Sequence, residues 1–215
     1  MLKLASKVLA AAAIATATIV GFTSSPAMAV TYDTGHIDVL DVDYSGGTVT
    51  LDMRTYSPAN DDVSPATNSI RLHPLDAYDL VVTSSSGSWP CVGALNSTVY
   101  VAPASVPSGD TRVWPGWNTE DVPTANRPVT IELVSVSGPG HVTLYNMTGL
   151  PAAPSVVLSS SSASGCAKSS FSIGSTPHGH ANWAFSASGN YQITFKATVT
   201  GGATSGNVVY NFTIG

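Results

Sequence analysis

Pro177-His178-Gly179-His180-Ala181-Asn182-Trp183-Ala184-Phe185, followed after Ser186-Ala187-Ser188-Gly189-Asn190 by Tyr191-Gln192-Ile193-Thr194-Phe195, decides the fold. Read with a period of two, it is a β-hairpin. Trp183 and Phe185 fall on one face of its first strand; His178, His180 and Asn182 fall on the other. The turn is expected at 187–190. The return strand then places Tyr191, Ile193, Phe195, Ala197 and Val199 together, with Gln192, Thr194, Lys196 and Thr198 opposite. One sheet face therefore enters a core and the other meets water or a partner.

The same alternation recurs along the chain. In Gly35-His36-Ile37-Asp38-Val39-Leu40-Asp41-Val42-Asp43-Tyr44 it fails only where Val39 and Leu40 adjoin, and a β-bulge there repairs it. With that bulge, His36, Asp38, Asp41 and Asp43 all point away from the core. Gly46-Gly47 is the next turn, and Val49, Leu51 and Met53 form the inward face of the second strand. Val129, Ile131 and Leu133 mark another strand. His141-Val142-Thr143-Leu144-Tyr145 alternates with His141, Thr143 and Tyr145 on the outer face, and Val208, Tyr210, Phe212 and Ile214 close the chain. Residues 56–69 read as loop, and residues 150–170 as a Ser/Ala/Pro-rich excursion too polar to pack except near Cys166. No helix of useful length and no internal repeat is visible. Many short alternating strands separated by turns predict an all-β fold, an antiparallel two-sheet sandwich of immunoglobulin-like type.

Residues 1–29 read as a signal peptide. Lys3 and Lys7 precede an Ala/Ile/Val-rich run, and Ala27-Met28-Ala29 is a small-x-small cleavage site. The remaining residues, 30–215, are expected to form a single domain, with no later apolar run long enough to span a membrane and no anchor. The protein is thus expected to be secreted. Charged residues are only 10% of the chain, and loss of Lys3 and Lys7 takes the formal charge from −5 to −7. An acidic, lysine-poor surface argues against nucleic acid and anionic membranes, and suits cations. Cys91 and Cys166 are the only cysteines. In an oxidising compartment they are expected to form a disulfide.

The chemistry-bearing residues are few. His178 and His180, at i and i+2 of an extended segment, project the same way about 7 Å apart, close enough to share one metal ion. In Trp114-Pro115-Gly116-Trp117 the Pro-Gly pair is expected to turn and splay two indoles. They either clamp a loop or offer a sugar-stacking platform. His73 precedes a proline in a polar connection and reads as a surface residue. No serine elbow, phosphate loop or carboxylate pair in a recognisable context is present, so no enzyme activity is expected.

Three of these stretches carry a family resemblance: His178 to Phe185 with Gly189-Asn190-Tyr191, the Trp114 to Glu120 run, and Gly138-Pro139-Gly140-His141 with the strand after it. With the opening Gly35-His36-x-Asp38-x-Leu40, they resemble the actinobacterial surface-anchored protein domain, also described as choice-of-anchor M proteins. Many family members carry histidines where this chain has Asp52 and Arg54; aspartate can ligate a metal, arginine cannot. The resemblance implies an extracellular divalent-metal-binding accessory protein that captures or delivers an ion for a metal-type ABC transporter, its partner at the cell envelope. The ligands would be His178 and His180, completed by His36, His141 or a first-strand aspartate such as Asp38. Imidazole with carboxylate suits Zn²⁺ best, Mn²⁺ if oxygens dominate, and Cu²⁺ as a further choice. The alternatives are a cell-wall or glycan-binding module using Trp114 and Trp117, and a purely structural surface domain.

Overall fold

The computed structural model describes residues 30–57, 59–72 and 78–215. The expected signal peptide and His73 lie outside them. In chain order the strands are β1 (Val30–Tyr32), β2 (His36–Ser45), β3 (Thr48–Thr55), β4 (Asp61–Val63), β5 (Asn68–Leu72) and β6 (Asp79–Val81). There follow β7 (Thr98–Ala102), β8 (Trp114–Asn118), β9 (Val129–Ser137), β10 (Val142–Thr148) and β11 (Ala153–Ser159). The last are β12 (Ser170–Ile173), β13 (His178–His180), β14 (Asn182–Phe185), β15 (Gly189–Val199) and β16 (Val208–Ile214). Among the described residues, helix is limited to one turn, α1 (Trp89–Val92), and a 3-10 turn at Thr124–Asn126. The fold is all-β, as the alternation predicts.

The strands form three mostly antiparallel sheets, in the orders β1-β5-β16-β15-β9-β12, β11-β10-β14-β7-β6 and β13-β8-β2-β3-β4. The six-stranded sheet is one layer of the sandwich. Its inward residues meet the second sheet through Trp183–Phe195 and Phe185–Tyr191 ring contacts, at 6.1 and 5.2 Å between centroids. They meet the third where the Tyr210 hydroxyl donates to the Asp52 carbonyl at 3.0 Å. The opposite layer is thus divided between two sheets. Trp183, Phe185, Tyr191, Ile193, Phe195, Tyr210 and Phe212 are all buried in one core, as are Val49, Leu51 and Met53. The bulge appears where two apolar residues adjoin: the register of β2 shifts between Asp38 and Asp41 against β3, and between Asp38 and Leu40 against β8. Gly46 and Gly47, both at positive φ, make the two-residue turn that only residues free of a Cβ penalty enter easily.

Several expectations are corrected. β14 and β15 are not a hairpin. β14 pairs with β10 and β7, whereas β15 pairs with β16 and β9. The segment between them is an arch from one layer to the other, so the apolar faces of the two strands meet across the core. The stretch 177–185 is likewise two strands. Fully buried Ala181 separates β13, in the third sheet, from β14, in the second. Trp114–Asn118 is a strand, not a turn. Its antiparallel ladder to β13 runs over Gly116, Trp117 and Asn118, so proline's missing N–H is not asked to join it. The 150–170 excursion contains β11, whose Leu158 is fully buried, because Val156-Val157-Leu158 is apolar enough to pack.

Cys91 and Cys166 form the expected disulfide across a sequence separation of 75. Both are buried, and the bond ties α1 to the turn after β11.

Candidate metal centre

β8 lies between β2 and β13 in the third sheet, and its register builds the site. Gly116 pairs with Asp38 of β2 on one side and His180 of β13 on the other. Residues matched across neighbouring strands project from the same face, so Asp38 and His180 flank a position with no side chain. A Cβ at Gly116 would stand 2.7 Å from His180 Cε1 and closer still to Asp38 Oδ1. Glycine is what lets the carboxylate and the imidazole converge. One row along, His36 pairs with Trp114.

Asp38 is the hub. Its side chain is fully buried, and Oδ1 lies 3.1 Å from both His36 Nε2 and His178 Nε2. The Tyr56 hydroxyl donates to Oδ2 at 2.6 Å. Burial alone pushes the Asp38 carboxyl up. The hydrogen bonds from His36 and Tyr56, with the charges of His36 and His178, outweigh it and hold Asp38 below its ordinary value, as a carboxylate. His36 is sandwiched between Tyr56, at 4.2 Å and nearly parallel, and Trp114, at 4.3 Å. His180 stacks on Trp114 at 4.7 Å, and its Nδ1 lies 3.1 Å from the Pro115 carbonyl oxygen. Since a carbonyl only accepts, that contact makes Nδ1 the protonated nitrogen and leaves Nε2 with its lone pair. This is how metal-ligating histidines are commonly oriented. Burial lowers the His180 pKa, which keeps the ring neutral at pH 7.

His36, Asp38, His178 and His180 each offer one ligand atom, all within 4.8 Å of one another. A tetrahedral ion with bonds of about 2.0–2.1 Å needs ligand atoms roughly 3.3–3.4 Å apart. The two 3.1 Å separations around Asp38 are already at that scale. Three imidazoles and a carboxylate are a fitting donor set for Zn²⁺. These four residues could hold a metal ion.

A second polar group adjoins the first. Ligand atoms of Asp41, Asp43 and Asp62 also lie within 4.8 Å of one another, but a cation is already there. Arg54 Nε is 2.9 Å from Asp62 and 3.5 Å from Asp41, and a terminal nitrogen is 2.9 Å from Asp121. Asp41 is buried, and among the described residues its Oδ2 accepts no hydrogen bond, Arg54 Nε standing off at 3.5 Å. Burial raises its pKa to about 8, Arg54 opposing only in part. Burial and neighbouring carboxylates also raise Asp43 and Asp52. Asp52 and Arg54 thus belong to this acidic group, and the metal centre does without both.

Four of the expected ligands, His178, His180, His36 and Asp38, are brought together; His141 is not. It precedes β10 in the second sheet, with Nε2 3.3 Å from the Val92 carbonyl, beside the disulfide. The face of β10 expected to meet solvent is covered by α1, and Thr143 and Tyr145 on it are buried. Trp114 and Trp117 form no shared platform: Trp114 stacks on two imidazoles, while Trp117 lies edge-on to Phe171 at 5.2 Å and over Gly179. The residues that sequence reading missed are Tyr56, Gly116 and the Pro115 carbonyl. Tyr56 had a signal, since continuing the alternation of β3 past Asp52 and Arg54 puts it on their face.

Compared with known proteins, the chain matches no family model, no curated protein and no solved structure.

Proposed function

We propose that this is a secreted divalent-metal-binding accessory protein that captures Zn²⁺ outside the cell at His36, Asp38, His178 and His180. The observation that carries the reading is the convergence of three imidazoles and one buried carboxylate, from strands far apart in sequence, within 4.8 Å. The disulfide supports an oxidising compartment. Among the described residues, no helix is long and apolar enough to cross a membrane. The family resemblance supports a carrier's role, with a metal-type ABC transporter as the proposed acceptor.

Protein purified without an affinity tag should take up one Zn²⁺ per chain, read by calorimetry and elemental analysis. Binding should strengthen above about pH 6.5, where imidazole loses its competing proton. His178→Ala/His180→Ala should abolish it with the far-ultraviolet circular dichroism unchanged, because neither side chain enters the core. No saturable binding of Zn²⁺, Mn²⁺ or Cu²⁺ by the wild type would refute the proposal.

A further inference from the structure

The four ligands are not held alike. His36 is gripped on both faces by Tyr56 and Trp114. Asp38 is fully buried and fixed through Oδ2 by the Tyr56 hydroxyl. His180 is tied by its Nδ1 to the Pro115 carbonyl and by its ring to Trp114. His178 has none of these. Among the described residues, its one side-chain hydrogen bond is to Asp38 Oδ1, itself a ligand atom, and its aromatic contacts are with His36 and His180, at 5.4 and 5.0 Å. Its side chain is 37% exposed, against 16% for His36 and 0% for Asp38. It also stands on β13, a three-residue strand at the sheet edge.

Resting on the metal reading above, we propose that the ion is handed on through His178: the other three ligands are a fixed tripod, and His178 is the ligand that leaves. Once the ion is bound, the contact from His178 to Asp38 gives way to one from His178 to the metal. Among the described residues, no other hydrogen bond or ring stacking then fixes the ring's orientation. Transfer is a ligand exchange without redox change: the metal–His178 bond breaks as a bond forms to an imidazole, thiolate or carboxylate of the acceptor. The ion stays four-coordinate, and the freed imidazole turns outward from the edge of β13. The acceptor is thus a molecule that presents a metal-ligating side chain to that edge. The rigid tripod keeps the ion from being lost to water while the fourth position changes hands.

The test compares wild type, His178→Ala and His36→Ala, each offered Zn²⁺ alone and then a chromophoric chelator. His178→Ala should still bind one Zn²⁺, more weakly than the wild type, and release it to the chelator at least about tenfold faster. Millimolar free imidazole should slow that release by filling the vacated position. With Co²⁺ as probe, imidazole should shift the visible spectrum of His178→Ala and leave that of the wild type unchanged. His36→Ala should lose saturable binding; Asp38→Asn makes the same comparison if that variant does not fold. A wild type that binds Zn²⁺ while His178→Ala loses it as completely as His36→Ala overturns the hand-over alone. So does release from His178→Ala at the wild-type rate. A wild type that binds no metal overturns the metal reading and the hand-over with it.

Discussion

Replacing Gly116 by alanine adds one methyl group between Asp38 and His180. The backbone there is not in the left-handed region, so alanine brings no conformational strain and the effect is purely steric. The new carbon would lie 2.7 Å from His180 Cε1 and 2.8 Å from its Nδ1. Carbon atoms rest about 3.5–4.0 Å apart, so the imidazole must retreat by roughly 0.8–1.3 Å. Trp114 and the Pro115 carbonyl oppose that movement on one side, and buried Asp38 cannot yield on the other. Metal–ligand distances tolerate about 0.2 Å, so a 10–100-fold loss of Zn²⁺ affinity is expected. A thermal melt reads this directly. At free Zn²⁺ one hundred times Kd, binding stabilises the wild type by about 2.7 kcal/mol, or roughly 5–11 °C in Tm for a domain of this size. At the same Zn²⁺ concentration the variant should gain about half of that or less. Without metal its Tm should also fall, by roughly 2–12 °C, since overpacking costs about 1–3 kcal/mol; the metal-induced shift is therefore read against each protein's own metal-free Tm. An unchanged Zn²⁺-induced shift in Gly116→Ala would refute the account of how the ligands converge.

Phe195→Ala should destabilise the protein by about 3–5 kcal/mol in chemical denaturation, because its ring is fully buried against Trp183 and Tyr210; a nearly neutral result would mean the strand faces the other way. Reducing Cys91–Cys166 should cost about 2–5 kcal/mol and leave the strands in place, and two thiols open to alkylation in the unreduced protein would rule the bond out. In the folded protein Asp41 keeps its proton up to about pH 8, while an unfolded aspartate releases it near pH 4. Asp41 therefore contributes stability that is present below about pH 4 and lost as pH rises toward 8. The metal-free Tm of wild type should fall relative to Asp41→Asn over that window, and parallel curves would contradict it. Trp114→Ala should weaken Zn²⁺ binding about 10–100-fold without changing retention on insoluble cell wall; retention that survives chelator and disappears in this variant would favour a glycan-binding role.

Alternation told which side chains enter the core, and the bulge at Val39-Leu40 was legible because two adjacent apolar residues cannot both face inward on a regular strand. It could not tell which strand lies beside which. A period of two reports which side chains enter the core, and Trp183, Phe185, Tyr191 and Ile193 enter it whether their strands are joined by a hairpin or by an arch. The site was legible in the same partial way. His178 and His180 stood out as a local pair, and His36 and Asp38 as outward residues of an acidic strand. His141 had the same local credentials and lies elsewhere, because only the order of strands separates it from the others. Asp38 and His178 are 140 positions apart, and what joins them is the placement of β8 between β2 and β13. Gly116 carries no mark in sequence that separates a glycine needed for close approach from one needed for a turn.

The crossing at Ala181 sets a boundary on how this molecule can change. On one side stands a three-residue ribbon carrying two imidazoles; on the other, two positions away, Trp183 is locked among the largest buried side chains of the protein. The ribbon can therefore be rewritten, by exchanging a histidine for another donor or adding a residue at the edge, while the interior that holds the strands together stays untouched. Selectivity among cations can drift in such a protein faster than its architecture.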